Sequence, residues 1–153
     1  MRQDDTTAPV FAAPVSQPDS LYTETGWEVH PDSLRHVLIW VRQQYGNIPI
    51  YITENGAAFP DPTQAAGERV QDPLRVAYLR QHLLAAHAAL HAGVDLRGYF
   101  VWSLLDNYEW ACGYAKRFGL VHVDYMNQKR TLKTSAEFYR DVIRSRGREL
   151  VST

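Results

Sequence analysis

A single cysteine, Cys112, occurs in 153 residues, so no intrachain disulfide can form and nothing points to an oxidising compartment. No run approaches the roughly 18 apolar residues that a membrane span needs. Charge of either sign is nearly absent in the balance: 16 Lys and Arg against 17 Asp and Glu leave a net charge of -1. That balance argues against nucleic acid or an anionic membrane surface as the main partner. There is no glycine-rich phosphate loop, no zinc-knuckle spacing and no dinucleotide fingerprint. No repeat and no low-complexity segment stands out. The first twenty residues, MRQDDTTAPVFAAPVSQPDS, lack the apolar core of a secretory signal. A cytoplasmic setting is the expectation these absences leave. Residues 1–22 read as a poorly ordered lead-in loop, rich in Pro, Thr, Ser and Ala.

What is present is a soluble composition with 45% hydrophobic residues and 12% aromatics, including four Trp and nine Tyr. Leu34, Val37, Leu38 and Val41 recur at helical spacing, with a start at Pro31 to Ser33 and a stop at Gly46. The β-branched run from Ile48 to Thr53 reads as a strand buried on both faces. Residues 57–71 read as a long loop. Asp72-Pro73 opens a second helix whose inner face carries Val76, Leu79, Leu83, Ala86 and Leu90, and which Gly93 ends. VDLRGYFVWSLLD contains a second strand, FGLVHVDY a short extended piece, and Thr134 with Glu137 a capping box for a helix to about Ser145. Strands alternating with helices imply a parallel α/β sheet. Two or three strands leave such a sheet with bare faces and edges, so the architecture is expected to be incomplete.

Ligands of parallel α/β sheets bind at the carboxyl ends of the strands. Glu54 stands there, ahead of a long loop, either as a working carboxylate or as the shoulder of an Asn55-Gly56 turn. After the second strand, WSLLDNYEWACGY gathers Trp102, Asp106, Asn107, Glu109 and Trp110. Aromatic faces with carboxylates and amides suit a sugar ring, whose one side is apolar and whose edge is hydroxylated. A buried Trp pair with solvated acids is the alternative. His87 and His91 have an i, i+4 spacing that metal sites use, but the glutamate of HExxH is missing. These read as solvated helix histidines, and Cys112 as a small semi-buried residue. Neither a metal nor a cofactor is expected. Arginines 140–148 suit a helix C-terminus.

YITENG, together with DLRGYFVWSLLDNYEWACGYAKRFGLVHVDY, resembles the retaining β-glucosidases of glycoside hydrolase family 1. The upstream TETGWEVHPDSL and the tail QKRTLKTSAEFY fit the same pattern, so the resemblance runs from about Thr23 to Arg144. It implies a (β/α)8 TIM barrel, of which residues 23–153 supply only the C-terminal portion, about the last two strands with their helices. It implies that Glu54 is the nucleophile at the end of the seventh strand. Trp102 is then the platform beneath the glucosyl ring, and Glu109 binds the 4- and 6-hydroxyls. Trp110 donates to the 3-hydroxyl, Phe118 lines the same end, and Trp27 lies toward the aglycone. The substrate implied is a β-glucoside or cello-oligosaccharide. Activity on β-galactosides or β-fucosides, a phospho-β-glycosidase using Lys116-Arg117, and a non-catalytic sugar-binding fragment are the alternatives. The family's Asn-Glu-Pro acid/base motif does not occur in this sequence. A barrel takes roughly 250 residues and at least about 200. The chain is therefore expected to be inactive alone and to need the N-terminal barrel portion or self-association.

Overall fold

The structure is a computed structural model that describes residues 15–62, 65 and 67–151. Residues 1–14 of the expected lead-in lie outside it; Leu21 accepts a hydrogen bond from the Val29 amide (2.8 Å). Two parallel strands, β1 (Ile50–Asn55) and β3 (Leu96–Val101), form one sheet. Helix α1 (Pro31–Tyr45) precedes β1, and helix α2 (Pro73–His91) crosses from β1 to β3. A smaller sheet has the order β2-β5-β4, from Arg69–Val70, Arg130–Lys133 and Val121–Val123. Helix α3 (Thr134–Ser145) follows β5 directly, and a short α4 (Arg148–Val151) ends the described chain.

Both long helices begin with proline in the first turn, where the missing N–H leaves no bond unmade. Helix α2 stops at Ala92-Gly93, with Gly93 at φ 87°, a left-handed conformation that costs glycine little. The capping box does not form: Thr134 is already helical, and its hydroxyl donates to Asp72 (2.6 Å). Asp72 also accepts from the Ser135 amide (2.8 Å), so the start of α3 is capped from the start of α2. Glu137 pairs instead with Arg69 (2.6 Å).

The first strand runs two residues further than its apolar run, because Glu54 and Asn55 still lie alongside β3. Nor is it buried on both faces. Ile52 packs with Leu38, Ala86, Ala89 and Val94 beneath α1 and α2, while Tyr51 on the opposite face is 55% exposed. Phe100 of β3 lies on that bare face too and is 56% exposed. Gly98 sits between them, and a Cβ there would meet the Tyr51 ring at 2.6 Å. The helices cover one face of the sheet and nothing in the described chain covers the other. Val37 and Leu90, each grouped with the apolar face of its helix, are exposed.

The segment after β1 is a loop only in part. Ala57, Ala58 and Phe59 are buried against Tyr78, Leu79 and Leu120, and Arg69–Val70 adds a strand to β5. β5 itself has no alternating apolar pattern, since its inward residues are Thr131 and Lys133.

Candidate active site

Glu54 reaches the site as the penultimate residue of β1. Trp102 comes one residue after β3, and its amide donates to the Asn55 carbonyl (3.0 Å), which extends the strand pairing by a rung. The peptide between Trp102 and Ser103 is cis. Gly56 is required by this closeness: a Cβ on it would lie 1.8 Å from the Trp102 carbonyl oxygen. Gly56 is thus not the corner of an Asn-Gly hairpin turn, and Asn55 is a strand residue. The Asn55 side chain accepts from the Tyr99 hydroxyl (2.6 Å). Tyr78 faces the same Asn55, and burial raises its phenol above the ordinary value against the pull of a hydrogen bond with Asn55.

Glu109 precedes a single 3-10 turn, Trp110–Cys112, closed by the Glu109 amide donating to the Gly113 carbonyl (2.6 Å). Trp110 holds a φ of 38° and is 80% exposed, so its indole stands out from this turn. Cys112 in the same turn is exposed rather than semi-buried. Phe118 is buried, with its ring centroid 5.9 Å from that of Trp27. The loop bearing Trp27 is a tight turn in which the Gly26 amide donates to the Thr23 carbonyl (2.9 Å). The Glu24 amide donates to the Ala58 carbonyl (2.9 Å), tying that turn to the segment after β1.

The end of β1 and two separate loops therefore converge on one cleft of about 480 Å³. Its walls are Trp27, Glu54, Trp102, Glu109, Trp110 and Phe118, joined by Asn55, Gly56 and Tyr78. All six residues selected from the sequence meet there. The alternative of a buried Trp pair with solvated acids does not hold: neither Trp102 nor Trp110 is buried, Asp106 is, and Glu109 is half-exposed.

Behind the cleft lies a cluster that sequence patterning does not reveal. The Asp106 carboxylate accepts from Arg117 Nη1 (2.7 Å), Lys133 Nζ (2.8 Å) and the Gly119 amide (3.0 Å). Lys133 also donates to Asp61 (2.6 Å), and Asp61 accepts from Arg75 Nη2 (3.0 Å). Arg75 donates in turn to Asp72 (2.6 Å) and to the Arg117 carbonyl (2.8 Å). Three acids and three bases thus neutralise one another out of water, where a lone charge would be prohibitive. Burial and the neighbouring Arg75 lower the Lys133 ammonium from its usual value, although Asp106 and Asp61 oppose this. The cluster links the segment after β1, the loop after β3, β5 and both helix starts. It holds the backbones on which Glu54, Trp102 and Glu109 stand. Arg117 is engaged in this cluster through Asp106, whereas Lys116 pairs with Glu24 (3.5 Å) nearer the surface.

The glycosyl hydrolase family 1 model matches residues 2–148. The chain belongs to glycosyl hydrolase family 1. Beta-glucosidase A of Thermotoga maritima is 50% identical over 127 residues, which cover 83% of this chain and 28% of that protein. Thermostable beta-glucosidase B of Thermobispora bispora is 54% identical over 117 residues, 76% of this chain and 24% of that one. A solved family 1 β-glucosidase of Thermotoga maritima superposes with a TM-score of 0.87 at 47% identity, over 94% of this chain and 32% of that structure. The chain thus spans less than a third of these relatives and matches their C-terminal part. Its two parallel strands and their helices are an open part of a family 1 TIM barrel, not a closed one. A retaining mechanism is general to the family.

Proposed function

We propose that this chain carries the C-terminal half of a β-glucosidase site, with Glu54 as the nucleophile. The observation that supports this reading most is the shared cleft: a carboxylate from the end of β1 opposes an aromatic and acidic wall from the loop after β3. In the proposed reaction a β-glucoside lies on Trp102, and Glu109 and Trp110 take its outer hydroxyls. Phe118 closes the inner end and Trp27 lies toward the leaving group. The Glu54 carboxylate attacks the anomeric carbon as a second carboxyl, the acid/base, gives its proton to the departing glycosidic oxygen. Water then displaces the sugar from the ester, and the same acid/base removes the proton from that water.

The proton donor has to come from another carboxyl, about 5–5.5 Å from the first. Asp106 is unsuited to the part, since it is buried and both its oxygens are engaged by Arg117, Lys133 and the Gly119 and Val123 amides, away from the lining of the cleft. Glu109 is the other acid in the cleft, and it is assigned to the sugar hydroxyls. The donor is therefore assigned to residues of a longer protein, outside this sequence. Without it the isolated chain loses about 10²–10⁴-fold in rate, and missing sugar contacts reduce it further. The substrate class agrees with what the relatives are named for. One solved neighbour is a complex with glucoimidazole, and a Bifidobacterium breve relative is named a bifunctional beta-D-glucosidase/beta-D-fucosidase. A β-fucoside is accordingly the second substrate to assay.

The test combines the chain with the N-terminal part of a family 1 barrel and follows an activated aryl β-glucoside. Hydrolysis should appear on mixing, and Glu54→Gln should abolish it. Full turnover by the chain alone, or by the Glu54→Gln mixture, would overturn the reading.

A further inference from the structure

Helix α2 is flanked by α1 on one side and by α3 and α4 on the other, with β3 beneath. Its outward side meets no other element among the described residues. His87 and His91 stand on it one turn apart, His91 exposed and His87 half-buried. Their Nε2 atoms are 3.2 Å apart, with ring centroids at 4.4 Å. Two imidazole nitrogens, each about 2.0–2.1 Å from one ion, stand about 3.3 Å apart at a tetrahedral angle and about 2.9 Å apart at a right angle. The observed separation falls between these two, so the two nitrogens need only turn, not move apart, to share one ion.

We propose that His87 and His91 form a bidentate surface site for a borderline divalent cation, with Cu²⁺ preferred over Ni²⁺ and Zn²⁺. Helix α2 contains no Asp or Glu, so it adds no carboxylate to the imidazole pair. Neutral nitrogen donors suit copper, nickel and zinc, whereas magnesium and calcium need oxygen. Copper leads by the general order of divalent affinities. Among the described residues no cluster of three or more His, Cys, Asp or Glu could hold a metal. Water therefore fills the remaining positions, which makes this an open and moderate site rather than a structural one. In the metal-free pair one Nε2–H donates to the other ring. On binding, that ring moves its proton to Nδ1, and both Nε2 lone pairs turn to the ion. His91 ends α2, at the amino end of β3, whereas Glu54 lies at the carboxyl end of β1. The bound ion is consequently remote from the cleft.

Titrating the full 153-residue chain with Cu²⁺, Ni²⁺ and Zn²⁺ by calorimetry, with electron paramagnetic resonance for copper, tests this. The wild type should take up one ion with a nitrogen signature, in the affinity order copper first. His87→Ala and His91→Ala should each weaken binding by at least about tenfold, since losing a ligand exceeds the usual effect of losing its support. His36→Ala should change nothing. Because the ion bridges a helical turn, it should also raise the unfolding midpoint of the wild type and not of the double variant. Equal affinity in the wild type and the double variant overturns the assignment, as does an equal loss in His36→Ala.

Discussion

The two faces of the β1–β3 sheet differ completely in how they are finished. On the helix side Ile52 is buried among Leu38, Ala86, Ala89 and Val94. On the other side Tyr51 and Phe100 stand more than half exposed, with no element over them. Sequence alone treats the faces alike, because both strands read as apolar runs. The difference teaches that such a run describes the environment a strand is meant for, and that a part of a barrel supplies only half of it. The loop end behind the cleft is a third case. There the ion cluster closes on itself within this chain, so the backbone around Glu54 is supported before any further strand arrives.

The largest effect that could break this contrast lies in the cluster. Asp106→Asn should destabilise the chain by about 3–5 kcal/mol, because Lys133 and Arg117 would be left buried without their shared acid. Urea unfolding followed by circular dichroism reads this directly, and an unchanged midpoint would mean that the cluster is not closed in solution. On the finished face, Ile52→Ala should cost about 2–4 kcal/mol by the same measurement. On the bare face, Phe100→Ser should cost less than about 0.5 kcal/mol in the isolated chain. It should also lower the binding of a dye that reports exposed apolar surface. In a reconstituted barrel the same substitution should become as costly as Ile52→Ala, and equal small costs in both settings would show that no strand covers this face.

The smallest expected effect is a pH dependence. Burial holds the His82 imidazole below its ordinary value of 6.5, against the opposing effect of the hydrogen bond its Nδ1 makes to the Tyr78 carbonyl (2.8 Å). The neutral ring is favoured in the folded chain, so His82 favours folding fully above pH 6.5 and progressively less as the pH falls toward its lowered value. A His82→Leu variant should therefore lose stability less steeply below pH 6.5 than the wild type. Parallel slopes would mean that the ring is solvated.

Much of the site was legible because local chemistry and strand ends coincide in the sequence. Glu54 closes one apolar run, and Trp102, Glu109 and Trp110 follow another within a few residues. The cluster behind them was not legible. Asp61, Arg75, Asp106 and Lys133 lie in four separate segments, and each by itself reads as a solvated charge. The conformation of Asn55 stayed open for a related reason. Next to glycine it has the signature of a turn, but pairing with β3 keeps it extended, and Gly56 is demanded by the Trp102 carbonyl instead.

The sequence by itself determined the alternation of strands and helices, the proline starts of α1 and α2, and the family. Each of these depends on neighbours along the chain or on motifs a few residues long. Only the tertiary structure decided which charges are buried, which strand face is covered, and that Trp27, Glu54 and Glu109 share one cleft. Burial and convergence are set by residues far apart in sequence, and a buried charge is tolerated only where its partner arrives from elsewhere in the fold.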